Sequence, residues 1–134
     1  MNQLIMTVGL PRSGKSTWAK QQDLPIVNID SIRLALHGQR YQGLAEGMVW
    51  AVAKIMVRAL FLAGHSKVIL DATNTTYDRR YAWRDSEWER TYVEIGTSKA
   101  ECTRRAKSEN DQEIIPVIER MAANYEPIIA GETP

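Results

Sequence analysis

A glycine, a lysine, a serine and a threonine stand in succession at Gly14-Lys15-Ser16-Thr17, and a second glycine, Gly9, lies five residues before the first. The segment Gly9-Leu10-Pro11-Arg12-Ser13-Gly14-Lys15-Ser16-Thr17 fits G-x-x-x-x-G-K-[ST], the pattern of a phosphate-binding loop. Each type has a task at that spacing. The glycines let the backbone fold into a concavity of N–H groups that holds polyphosphate oxygens. Lys15 brings a mobile cation to the β- and γ-phosphates, and the Ser16 hydroxyl can sit on the Mg²⁺ that bridges them. A helix starting here would add its positive end. The alternative, a functionless glycine-rich turn, is opposed by the flanks. Leu4-Ile5-Met6-Thr7-Val8 reads as a buried strand and Ser16 to Gln22 as a helix free of Gly and Pro.

Phosphoryl transfer also needs a group that orients or deprotonates the acceptor. Asp30 follows the apolar run Pro25 to Ile29 and should begin a helix, where its carboxylate could both cap that helix and face a cleft. Arg33, three residues on, would share its face and could clamp an acceptor phosphate or Asp30 itself. A helix-capping Asp with a routine ion pair explains the spacing equally well. Asp71 ends the run Val68-Ile69-Leu70, as an acidic residue does in phosphate-loop enzymes, and Ala72 stands where hydrolysing motors place a water-activating Glu. A guanine-reading Asn-Lys-x-Asp is also missing, so transfer to an acceptor is favoured over hydrolysis. Arg104, Arg105 and Lys107 precede the polar stretch Glu109 to Glu113, expected to be mobile. They could belong to a lid that closes on the transferring phosphate, or form a solvated basic face, the plainer reading. Arg79, Arg80 and Arg84 could track a nucleic-acid backbone or simply line an exposed helix. His37 and His65 are isolated, and Cys102 and the four tryptophans read as packing residues.

These residues have to be positioned by an α/β framework. Short apolar runs at Leu4 to Val8, Pro25 to Ile29, Lys67 to Leu70 and Thr91 to Ile95 alternate with helical stretches, which predicts parallel strands joined by right-handed crossovers. Helices are expected over 77–90, where Tyr77, Tyr81 and Trp88 form a stripe, over 98–108, and over 116–125 with Pro116 in its first turn. The segment 44–63 has the length of a membrane span but carries Glu46, Lys54 and Arg58. It reads instead as a helix with a broad buried face on the sheet, so no membrane contact is expected. The tail from Pro127 reads as loop. Because ligands of open α/β sheets sit beyond the carboxyl ends of the strands, residues 9–17, Asp30/Arg33 and Asp71/Asn74 should converge on one cleft.

The 134 residues suit a single domain, 1–134, with a lid at about 98–115. Charged residues at 25% and a net charge of +1 give no global signal for nucleic acid, so an acceptor groove would be local. One cysteine allows no internal disulfide and suits a reducing cytoplasm, the host's if the chain is phage-encoded. A chain entering a strand and phosphate loop at once is expected to carry no signal peptide.

Taken together, these segments resemble the kinase domain of phage polynucleotide 5′-hydroxyl kinase, within the wider zeta-toxin-like and adenylate-kinase-like set. The likeness rests on Gly9-Leu10-Pro11-x-Ser13-Gly14-Lys15-Ser16-Thr17-Trp18-Ala19, on Asn28-Ile29-Asp30-x-x-Arg33, and on Asp71-x-Thr73-Asn74 with Arg79-Arg80-x-Ala82-Trp83. Glu101-x-x-x-Arg105, Pro116 and Arg120-Met121 extend it. It implies a phosphate-loop fold with a four-stranded parallel sheet flanked by helices, and transfer of the γ-phosphate of ATP, with Mg²⁺, to a hydroxyl of nucleic acid, most simply a DNA or RNA 5′ end. Asp30 would be the general base, Arg33 the grip on the acceptor's phosphate, Asp71, Thr73 and Asn74 the acceptor wall, and Arg105 a lid arginine. Two departures stand out: Arg12 replaces a Gly common in that family, and Glu109 stands where a second lid arginine is usual. Removal of 3′-phosphates, the work of a phosphatase domain fused to some relatives, is not expected of these residues, and no obligate protein partner is implied. Alternatives are a kinase for a small molecule, a nucleoside or a hydroxymethylated base, and a nucleotide-binding module or toxin-like regulator with little turnover.

Overall fold

The structure, a computed structural model, describes residues 1–40, 45–130 and 132. Leu44 of the expected 44–63 helix and residues 131, 133 and 134 of the tail lie outside the described residues. Strand β1, Asn2–Val8, lies inside a sheet whose order is β2-β3-β1-β4, with β2 at Ile26–Asn28, β3 at Lys67–Asp71 and β4 at Trp88–Glu94. Every pairing is parallel: Gln3 opposes Lys67 and Met6 opposes Leu70, while Asn2 opposes Trp88 and Val8 opposes Glu94. The sheet is therefore the four-stranded parallel one expected, and all its strands deliver their carboxyl ends to one edge. Val68, Ile69 and Leu70 are each 0% exposed, as befits a strand covered on both faces.

Helix α1, Lys15–Lys20, starts at the left-handed Gly14, whose φ is 102°. Helix α2, Ile29–His37, follows β2 without a gap, and α3, Glu46–Leu62, crosses back to β3. The main core joins Leu4, Met6, Val27, Val68, Leu70 and Trp83 under the inner face of α3. That inner face is the broad one expected: Val49, Ala53 and Val57 are buried, and Trp50, Val52, Leu60 and Phe61 pack against the core beside them, whereas Met48, Ile55 and Leu62 are exposed. A smaller core of Leu10, Cys102, Ala106 and Ile118 holds α5, Lys99–Ser108, and α6, Ile114–Ala123, against the start of the phosphate loop.

The expected helix over 77–90 is corrected. Helix α4 covers only Tyr77–Tyr81, a turn follows in which Glu87 N–H donates to Asp85 Oδ1 at 2.8 Å, and β4 begins at Trp88. Trp88 and Arg90 point to the same side at the two-residue period of a strand, and Trp88 lies 5.7 Å from the ring of Phe61. Tyr77 and Tyr81 do stack, at 5.2 Å, but Trp88 does not extend their stripe. Arg80 is also corrected: at 0% exposure it cannot track a nucleic acid. It pairs with Glu132, donates to the carbonyls of Asn74 at 2.9 Å and Glu126 at 2.8 Å, and so ties the tail to the loop after β3. Among the described residues, no helix is long and apolar enough to cross a membrane.

Candidate active site

The loop between β1 and α1 is shaped by local backbone demands. A Cβ on Gly9 would lie 2.9 Å from the Ile95 carbonyl, so β4 approaches too closely for any other residue, and Gly14 needs its positive φ. Lys15 is 8% exposed, with Nζ donating to the Leu10 carbonyl at 2.7 Å and lying 3.5 Å from Ser13 Oγ. The ammonium thus curls over the loop it serves. Burial lowers its pKa, while the negative charges of Asp71 and Asp30 pull it back up. Phosphate oxygens would supply the missing negative charge.

Asp71, 4% exposed, ends β3 beside the start of α1. Its Oδ2 accepts from Ser16 Oγ at 2.7 Å and from Asn28 Nδ2 at 2.7 Å. A hydroxyl and a carboxylate at this contact form a hard-oxygen donor set that fits Mg²⁺, which takes few protein ligands and completes its shell with phosphate and water. Asn28 does a second job. Its Oδ1 accepts from Ser31 N–H at 2.7 Å and caps α2. The cap expected of Asp30 therefore belongs to Asn28, and Asp30 stands in the first turn of α2 with its carboxylate 73% exposed.

Arg33 Nη1 donates to Asp30 Oδ1 at 2.7 Å, while Nε and Nη2 grip Glu46 of α3 at 3.0 and 2.6 Å. Its guanidinium is half-buried between two carboxylates, and their hydrogen bonds and charges outweigh desolvation and raise its pKa. Glu46 had signalled only that the 44–63 helix was soluble; the fork-to-fork contact with Arg33 spans thirteen residues and two helices.

Thr73 and Asn74 lie in the turn after β3. The Thr73 carbonyl accepts from Gly9 N–H at 2.9 Å. Asn74, at φ 46° and 1% exposure, donates to the Thr7 carbonyl at 2.9 Å, and its Oδ1 is buried with no partner among the described residues. Thr7, which the sequence reading passed over, extends the ladder where β1 and β3 part: its hydroxyl donates to the Ala72 carbonyl at 2.8 Å and accepts from Ala72 N–H at 3.1 Å.

On the other wall, Arg105 Nη1 donates to the Arg12 carbonyl at 3.1 Å and lies 3.8 Å from where a Gly14 Cβ would stand. Arg104 pairs with Glu101 and is 66% exposed; Lys107 is exposed. Arg105 is therefore the cation of α5 that meets the phosphate loop. Arg12 itself adopts φ 68°, which explains the preference for Gly at this point. Its guanidinium contacts Glu109 at 2.5 Å and Asp111 at 2.7 Å, and Arg40 Nη1 and Nη2 grip the same Asp111 at 2.7 and 2.6 Å. The stretch expected to be mobile is stitched to the loop and to the segment after α2. Hydrogen bonds from Arg40, and then Arg12, hold the Asp111 carboxyl well below the usual carboxylate range. A cavity of about 320 Å³ adjoins this wall, lined by Gly9, Leu10, Ile95, Thr97, Lys99 and Tyr125.

Comparison with known proteins agrees with this framework. A chain of the Pnkp1/Rnl/Hen1 complex aligns at 26% identity and TM-score 0.66, over 78% of this chain and 38% of its own length. One from the Pnkp1/Rnl/Hen1 RNA repair complex aligns at 16% identity and TM-score 0.61, over 93% of this chain and 46% of its own. This chain therefore spans less than half the length of either. A gluconokinase from Sinorhizobium meliloti 1021 shares the fold at 15% identity and TM-score 0.63, over 96% of this chain and 78% of its own. The sequence profile of the AAA domain family matches residues 4–128. With that match covering nearly its whole length, and a parallel sheet shared with phosphate-loop kinases, the chain belongs to the AAA domain family.

Proposed function

We propose that this chain is an ATP-dependent kinase that transfers the γ-phosphate to a hydroxyl of nucleic acid, most simply a 5′-OH end. The observation that carries the reading is the Asp30–Arg33 pair at the carboxyl end of β2, with Arg33 held from behind by Glu46. Asp30 is close enough to Lys15 for its charge to act on that ammonium, so an acceptor at Asp30 would adjoin a donor at the loop. One further observation supports it. The identity to a chain of the Pnkp1/Rnl/Hen1 complex, 26%, exceeds that to the gluconokinase, 15%.

In this reading the Asp30 carboxylate takes the proton of the acceptor hydroxyl. The freed oxygen attacks the γ-phosphorus in line with the β–γ bridge, and the bridging electrons leave with ADP. Lys15 and the loop N–H groups hold the donor phosphates, Arg105 approaches them from α5, and Arg33 steadies the phosphate that follows the 5′ nucleoside. Bound Mg²⁺ would supply charge neutralisation between the β- and γ-phosphates, held from the protein side by Ser16 and, behind it, Asp71.

A second reading is a kinase for a small polar molecule, supported by a gluconokinase likeness that takes in 78% of that enzyme. The test supplies γ-labelled ATP and Mg²⁺ with 5′-OH DNA and RNA oligomers, hydroxymethylated DNA, nucleosides and small polyols. Label on oligomer ends, lowered about 10²- to 10⁴-fold by Asp30→Asn, is the expected result. Label confined to small molecules selects the second reading. Full activity in Asp30→Asn defeats the role of Asp30 and with it the leading reading, and label on no acceptor leaves a nucleotide-binding module with little turnover.

A further inference from the structure

The outer face of α3 has a pattern that neither the core nor the site uses. Met48, Ile55 and Leu62 are 56%, 66% and 86% exposed, and Ala51 and Ala59 between them are exposed as well. On a helix, Met48 and Leu62 fall about 20° either side of Ile55, and Ala51 and Ala59 about 40°, so the five form one straight strip. Their order along the strip is mirrored about Ile55: large residues lie seven positions to each side and small ones four. The strip carries no charge. The basic residues at its margin are engaged with their own chain, Lys54 Nζ on the Ala82 carbonyl at 2.9 Å and Arg58 on Asp85 at 2.5 Å.

We infer that α3 is the interface of a two-fold symmetric dimer, in which two copies of the helix pack antiparallel with Ile55 on the axis. A two-fold contact requires that residue i of one copy meet residue j of the other, and j meet i. The mirrored strip meets that condition: Ile55 faces Ile55, Met48 faces Leu62, and each alanine lies opposite the other and lets the helices approach. A partner of different sequence would have no use for the mirror, and a charged polymer such as nucleic acid would find no charge on the strip itself. The strip and its flanks would bury roughly 500 Å² per copy, about 1,000 Å² in total, at the lower bound of specific interfaces. An interface of that size belongs with the weak, transient ones.

Sedimentation velocity and light scattering from about 1 to 200 µM test this, together with cysteine pairs in a Cys102→Ala background. Packed helix axes lie about 8–10 Å apart, which brings on-axis Cα atoms within disulfide reach. Ile55→Cys should therefore cross-link to itself under mild oxidation. Leu62→Cys should not, because its two copies would stand about 20 Å apart, but it should cross-link when mixed with Met48→Cys. Ile55→Glu should be monomeric throughout with an unchanged circular dichroism spectrum. A wild-type monomer at 200 µM overturns the inference. So does a dimer that survives Ile55→Glu, or self-linking of Leu62→Cys as ready as that of Ile55→Cys.

Discussion

Replacing Glu132 by Gln should cost far more than its place two residues from the end of the chain suggests. Both side chains of the Arg80–Glu132 pair are 0% exposed. One carboxylate oxygen accepts from Arg80 Nε, and the other accepts from Ile129 N–H at 3.0 Å and lies 3.4 Å from Arg80 Nη2. A carboxamide has a single acceptor oxygen, so its NH₂ must face either the guanidinium or the Ile129 N–H. Breaking a buried pair by removing one partner costs about 3–5 kcal/mol. Here the guanidinium keeps the Asn74 and Glu126 carbonyls, at 2.9 and 2.8 Å, which favours the lower end, about 3 kcal/mol. Urea unfolding at pH 7 should show the midpoint fall by about 1–2 M. Burial pushes the Glu132 carboxyl up, but hydrogen bonds from Arg80 and Ile129 N–H, with the charges of Arg80 and Arg90, leave it below its ordinary value. A carboxyl lowered by folding contributes stability that is complete above its unfolded value, about 4.3, and lost as pH falls through the folded one. The gap between wild type and variant should therefore close in acid. A loss below about 1 kcal/mol at pH 7, or a gap unchanged down to pH 3, would refute the reasoning.

Asp111→Asn should release the segment after α5 from Arg12 and Arg40. With those side chains 27% and 45% exposed, the stability cost is only about 1 kcal/mol, but limited proteolysis near Glu109 to Glu113 should quicken several-fold. An unchanged cleavage pattern would show that the ion pairs do not hold the segment. Ser16→Ala removes the hydroxyl that meets Asp71 at 2.7 Å. It should raise the Mg²⁺ concentration for half-maximal nucleotide-dependent thermal stabilisation about tenfold, and leave metal-free nucleotide binding within about twofold. Equal loss of both would place the role of Ser16 in the loop's fold instead. Asp30→Asn, introduced above, tests the acceptor side.

Residues whose task is local were readable in advance. The phosphate loop announces itself by spacing, and β1 and β3 by apolar runs that must be covered on both faces. Residues whose partners are distant in sequence were not. Arg12 stands out in the sequence only as a departure from a common Gly, and its partners Glu109 and Asp111 lie 97 and 99 residues away. Arg79 and Arg80 are neighbours of identical chemistry, yet one sits over the Trp50 ring and the other is sealed beneath the tail. The region 77–90 misled because aromatic residues at positions 77, 81 and 88 fit a helical period, while the strand period of 88, 90 and 92 competes for the same tryptophan. Packing against Phe61 decided it.

Asn28 leaves little room for substitution. Its carboxamide faces two ways, with the oxygen on the start of α2 and the nitrogen on Asp71. Aspartate would keep the cap but set two carboxylates against each other, and serine or threonine would cap without the reach. Glutamine, a methylene longer, would move the donor off Asp71 or the acceptor off Ser31. Directed evolution toward a new acceptor could therefore recruit changes along α2 away from Asp30 and Arg33. Position 28 would have to stay as it is, because one small side chain keeps the start of α2, which carries Asp30, in register with the carboxylate of Asp71.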